Sequence, residues 1–119
     1  MMEPQETLAR IQAQISKHPV LLYMKGSPDF PHCGFSARVV HILSSLNTRY
    51  AYVNILENPD IRAELPKYAN WPTFPQLYIQ GELVGGCDIV TEMNANAELK
   101  PLLEAAQAIS ETKPEVVEA

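Results

Sequence analysis

Five consecutive apolar residues, Val20-Leu21-Leu22-Tyr23-Met24, constrain this chain more than any other feature. A strand with one wet face alternates polar and apolar side chains. This run does not, so it predicts a parallel strand buried on both faces. Such a strand needs helices above and below it, and the flanking sequence supplies them. Glu6 to Lys17 places Leu8, Ile11 and Ile15 on one helical face. Pro4 stands near its start, and His18-Pro19 ends it, because a residue before proline avoids the helical region.

The rest of the chain continues the alternation. Gly26 to His32, with Pro28, Asp29 and Pro31, reads as a stiff irregular loop. Gly34 to Leu46 repeats Phe35, Val39, Ile42, Leu43 and Leu46 at helical spacing. Arg49 to Asn54 reads as a second strand. Asn58-Pro59-Asp60 has the form of a helix start, with Asn58 as cap and the helix running to Tyr68. Trp71-Pro72-Thr73-Phe74-Pro75 forbids a helix and introduces a strand from Gln76 to Ile79. Gln80-Gly81 turns it back along Glu82 to Val84. Helical patterns over Asp88–Asn94 and Glu98–Ile109 complete a single domain, residues 1–109. Residues 110–119, rich in Glu and with little to bury, predict a disordered acidic tail. Strand–helix–strand followed by a hairpin gives an α/β, thioredoxin-like arrangement: a four-stranded mixed sheet flanked by helices.

Composition removes several functions. A net charge of −5 over 119 residues argues against a nucleic-acid binder that neutralises phosphates. The run Pro19–Met24 falls far short of the ~20 residues that span a membrane. No basic segment followed by an apolar stretch marks a signal peptide. Two cysteines cannot build a disulfide framework, and no Cys/His cluster offers four zinc ligands. The expectation is a soluble cytoplasmic protein whose thiols serve as chemistry.

Cys33 carries that chemistry. It follows the strand and loop and opens a helix, where free amides and the helix dipole stabilise a thiolate. Lys25, at the end of the strand, can bring a positive charge to the same place. Three residues on, where a dithiol site would have its second cysteine, stands Ser36. A hydroxyl resolves no mixed disulfide. The site has one thiol and must borrow a second sulfur from glutathione, another chain, or Cys87.

The run from Lys25 to Ser36, ending Cys33-Gly34-Phe35-Ser36, resembles the signature of monothiol glutaredoxins. Trp71-Pro72-Thr73-Phe74-Pro75-Gln76 and Gly85-Gly86-Cys87-Asp88 match the same family in the same order. The resemblance covers about residues 5 to 108, and three separated motifs in register are far more specific than one. It implies that Cys33 is the active thiolate and the cluster ligand. It makes Lys25 and Arg62 glutathione-binding cations, with Lys67 a weaker third. It makes Thr73-Phe74-Pro75 the loop before a cis-proline that faces the tripeptide, and Gly86-Cys87-Asp88 the clamp on its γ-glutamyl end. Asp88 faces the ammonium group, caps the helix, or does both. Cys87 lines the groove, packs passively, or pairs with Cys33; these alternatives stay open here.

A [2Fe–2S] cluster usually takes four thiolates. One chain supplies one, two chains two, and two glutathiones the rest. The resemblance therefore implies a labile cluster bridging a homodimer, received from a scaffold protein and passed to recipients. Partners of the BolA type are implied by family likeness alone. The other expectation is a glutathione-dependent oxidoreductase acting through Cys33; a weaker third is a sensor module.

Overall fold

The computed structural model describes residues 3–117. Its elements are α1 (Pro4–Lys17), β1 (Val20–Met24), α2 (Gly34–Ser45), β2 (Ala51–Asn54), α3 (Pro59–Ala69), β3 (Gln76–Ile79), β4 (Glu82–Gly85), α4 (Cys87–Ala95), α5 (Leu99–Ala105) and β5 (Glu115–Val116). The sheet order is β4-β3-β1-β2-β5. β1 is parallel to β2 and antiparallel to β3, and β3 is antiparallel to β4.

β1 is buried along its whole length and sorts its side chains into two cores. Val20, Leu22 and Met24 join Val39, Leu43, Val90 and Leu103 on the side of α2, α4 and α5. Leu21 and Tyr23 join Ile11, Ile15, Ile61 and Leu65 on the side of α1 and α3. The strict period of two in a strand produces this division. An apolar run without alternation suits such a strand, since both its faces are covered. Gln80 and Gly81 both have positive φ, 51° and 82°, the signature of a two-residue hairpin turn between β3 and β4.

Three details differ from expectation. The four-stranded sheet has a fifth strand, and the tail expected to be disordered over 110–119 is paired at Glu115–Val116. β5 runs parallel to β2 along its outer edge. The Glu115 and Val117 amides donate to the carbonyls of Tyr50 and Tyr52, each at 3.0 Å. Main-chain bonds need no apolar side chain, so composition does not reveal them. The last two tail residues, Glu118 and Ala119, and the first two of the domain, Met1 and Met2, lie outside the described residues. Second, the final helix stops at Ala105 and not Ile109. Gln107 takes a positive φ of 56°, and Ile109 instead bridges Thr48. Third, Asn58 occupies the position before α3 but does not cap it with its side chain. Its Nδ2 donates to the Asn54 carbonyl at 2.9 Å, and its Oδ1 accepts from Arg10 at 2.9 Å. Arg10 also pairs with Asp60 at 2.9 Å, tying α1 to α3.

Candidate functional site: a one-thiol groove

Cys33 immediately precedes α2 with an extended backbone, φ −155° and ψ 135°, so the first amides of the helix face its sulfur. The loop before it closes on itself. The His32 amide donates to the Lys25 carbonyl at 2.9 Å, and Ser27 and Phe30 exchange main-chain bonds. Gly26 makes the turn possible with φ +94°; a Cβ there would lie 2.5 Å from the Phe30 carbonyl. Asn54, at the end of β2, accepts the Gly26 amide at 3.0 Å and fixes the loop to the sheet.

Burial pushes the Cys33 thiol up, but four other influences outweigh it. The Ser36 and Phe35 amides, the Lys25 ammonium and the Ser36 hydroxyl all favour the thiolate, and the net shift is downward. Ser36 is wholly buried, and its Oγ accepts the Lys25 amide at 3.2 Å. The residue at the resolving position is therefore a structural link between β1 and α2 that also supports the sulfur.

Cys33 opens onto a groove of about 590 Å³. Lys25, Arg62, Thr73, Phe74, Pro75, Gly86, Cys87 and Asp88 all line it, so nine of the ten residues singled out from the sequence, counting Cys33, meet in one place. Lys67 does not. It lies 74% exposed beside Glu64, with 3.6 Å between the charged atoms. Helical geometry explains this: Arg62 and Pro66, four apart on α3, share the groove face, and Lys67 falls about 140° around from Arg62. Pro66, Ile89 and Pro72 line the groove without having been singled out. The same four-residue spacing from Arg62 was the available signal for Pro66.

The Phe74–Pro75 peptide bond is cis. Across from it, a Cβ on Gly86 would sit 3.1 Å from the Pro75 carbonyl oxygen. Gly86 thus leaves a narrow cradle between the cis-proline loop and the start of α4. Cys87 is buried at the first position of α4, its sulfur 3.9 Å from the Thr91 hydroxyl, and it is not joined to Cys33. Among the described residues no group of three or more His, Cys, Asp or Glu could hold a metal ion. No described helix is long and apolar enough to cross a membrane.

A thiol before a helix, a cis-proline loop and a glycine cradle around one groove, on a mixed sheet between two helical layers, define a class. The chain belongs to the glutaredoxin family, which its residues 20–84 match, and Cys33-Gly34-Phe35-Ser36 makes it a monothiol member. It is 63% identical over 102 residues to glutaredoxin 4 of Escherichia coli (strain K12), covering 86% of this chain and 89% of that one. Glutaredoxin 4 of Pasteurella multocida (strain Pm70) is 63% identical over 98 residues, covering 82% and 90%. Among solved structures, a buckwheat glutaredoxin–glutathione complex superposes with a TM-score of 0.80 at 26% identity, covering 90% of this chain and 96% of that one. Reduced poplar apo GrxS14 superposes with a TM-score of 0.68 at 50% identity, covering 87% and 92%.

Proposed function

We propose that the groove binds glutathione and that the chain carries a labile [2Fe–2S] cluster as cargo in iron–sulfur biogenesis. The single observation that carries this reading is the pairing of a half-buried, groove-lining Cys33 thiol, held below its ordinary range, with a buried Ser36 at the position of a second thiol. The groove suits the tripeptide. Lys25 and Arg62 offer cations for its two carboxylates, and Gly86 leaves room for a chain passing the cis-proline loop. The Gly86-Cys87-Asp88 segment at the start of α4 offers amides to the γ-glutamyl carboxylate and the Asp88 carboxylate to its ammonium. Thr73 and Phe74 face the peptide portion.

Bound glutathione supplies the second sulfur that the chain lacks. Cys33 supplies its own thiolate, and two such chains with two glutathiones complete four ligands. The cluster-loaded form is thus a homodimer. Scaffold proteins donate the cluster, and recipient or BolA-type proteins accept or share it in the cytoplasm. Anaerobic reconstitution with iron, sulfide and glutathione should give charge-transfer absorption that co-elutes with a dimer. Equal cluster content in Cys33→Ser would refute the assignment.

The depressed Cys33 thiol favours a second, weaker activity, removal of glutathione from proteins. Its thiolate attacks the glutathione sulfur of a mixed disulfide, and the protein thiolate departs. Turnover matching a dithiol glutaredoxin in a glutathione-coupled assay would make this the main function.

A further inference from the structure

The groove wall from Trp71 to Pro75 is held from behind by a buried amide. Gln76, the first residue of β3, is wholly buried and does not line the groove. Its Nε2 donates to the carbonyls of Trp71 at 3.0 Å and Thr73 at 3.2 Å. Its Oε1 accepts from the Tyr78 hydroxyl at 3.0 Å. Both amide hydrogens are used, and both go to the wall. Few side chains can do this. A carboxylate would set lone pairs against two carbonyls, and a hydrocarbon would leave both carbonyls unpaired.

The two wall carbonyls can only accept, so they turn the amide nitrogen toward the wall, and the Tyr78 hydroxyl secures that setting by donating to the amide oxygen. Burial raises the Tyr78 phenol above its ordinary range, so it remains a donor at every working pH. The Tyr78 ring packs edge-on against Tyr23, with centroids 5.7 Å apart and planes at 81°. The Tyr23 hydroxyl in turn donates to Gln14 of α1 at 2.8 Å. A continuous line of contacts thus runs from α1, through the sheet, to the groove wall.

We propose that Gln76, secured by Tyr78, is a positioning residue that fixes the Trp71–Thr73 wall and thereby sets how tightly glutathione is held. This rests on the glutathione reading of the groove and adds to it a determinant that never touches the ligand.

Two readouts test it. Trp71 is the only tryptophan, so its fluorescence reports the wall without any ligand. Calorimetry with glutathione reports the site. Gln76→Glu keeps the shape but presents a carboxylate to both carbonyls. Once protonated, that group can donate one hydrogen bond to the wall. The expected result is Trp71 emission displaced from the parent at about pH 8 that returns toward it by about pH 5.5. Glutathione affinity should be roughly tenfold weaker at the higher pH and partly regained at the lower. The parent measured over the same range removes contributions from other groups. Tyr78→Phe should weaken binding roughly threefold with a cooperative melt retained. If Gln76→Glu does not fold, Tyr78→Phe and Gln76→Met carry the same two readouts.

Parental emission and affinity in a folded Gln76→Glu at both pH values would overturn the proposal. So would displaced emission with unchanged affinity. If the parent itself binds no glutathione, the reading of the groove fails, and Trp71 emission alone judges whether Gln76 holds the wall.

Discussion

Gly85 and Gly86 are neighbours with opposite reasons for being glycine, and alanine at each should separate folding from binding. At Gly85 the backbone has φ +146°, and an added Cβ would lie 2.7 Å from the Cβ of Ile89. The backbone strain costs about 1–2 kcal/mol. Pushing Ile89 aside adds about 1–3 kcal/mol. Gly85→Ala should therefore destabilise the fold by roughly 2–5 kcal/mol, which lowers the melting temperature by roughly 10–20 °C for a domain of this size. At Gly86 the backbone, φ −98° and ψ −158°, is open to any residue. The added Cβ would be 3.1 Å from the Pro75 carbonyl oxygen, so only a shift of a few tenths of an ångström is needed. Reduced freedom of the unfolded chain returns about 0.4–1 kcal/mol, and the net change in stability is near zero. The methyl group nevertheless fills the cradle. A loss of about 1.4 kcal/mol of binding would weaken glutathione tenfold. Thermal melts and calorimetry on the two variants give the answer. A Gly86→Ala protein that melts as low as Gly85→Ala, or that binds glutathione like the parent, would refute the reasoning.

Arg62→Ala should weaken glutathione binding roughly tenfold, whereas Lys67→Ala, off the groove face, should leave it unchanged in the same titration. Ser36→Ala removes a thiolate donor and strands the Lys25 amide. The Cys33 thiol should then titrate higher than in the parent, and alkylation by iodoacetamide at about pH 6 should slow several-fold; an unchanged pH–rate profile counts against this. For Asp60, burial opposes ionisation, but the Thr7 hydroxyl, the Arg10 guanidinium and local amides outweigh it and depress the carboxyl below its ordinary 3.8. Its contribution to stability is fully present above that value and is lost as pH falls through the lower folded one. Asp60→Asn should melt lower at neutral pH and show a flatter loss of stability in acid. A parental acid limb in denaturant titrations would contradict this.

Much of the fold was legible because single residues force local geometry. Val20–Met24 can be only a covered strand, His18-Pro19 stops α1, and Gln80-Gly81 turns the hairpin between β3 and β4. The candidate site is legible for a related reason: Cys33 stands before a helix, and glycine at position 86 leaves the room that a side chain would fill. What escaped notice depends on partners far away in sequence. β5 forms through main-chain bonds from residues whose side chains are exposed. Gln76 looks like an ordinary polar residue entering a strand, and only its distances to Trp71, Thr73 and Tyr78 give it a task. Lys67 lies off the groove face, a placement that its charge does not show and the angle around α3 does. The last helix ends sooner than its apolar spacing predicts, because nothing in Gln107 announces a positive φ.

The division of β1 between two cores limits how the chain's length can drift. One residue inserted within Val20–Met24 would send each following side chain to the opposite layer. Tyr23 would leave both Gln14 and Tyr78, and the Lys25 end of the groove would advance by about 3.3 Å relative to β3. An insertion in the turn at Asn96–Ala97, where both residues are exposed, meets no such penalty. An added residue is thus far better tolerated at the α4–α5 connection than within β1, where it would part the thiol end of the groove from the strand that carries its opposite wall.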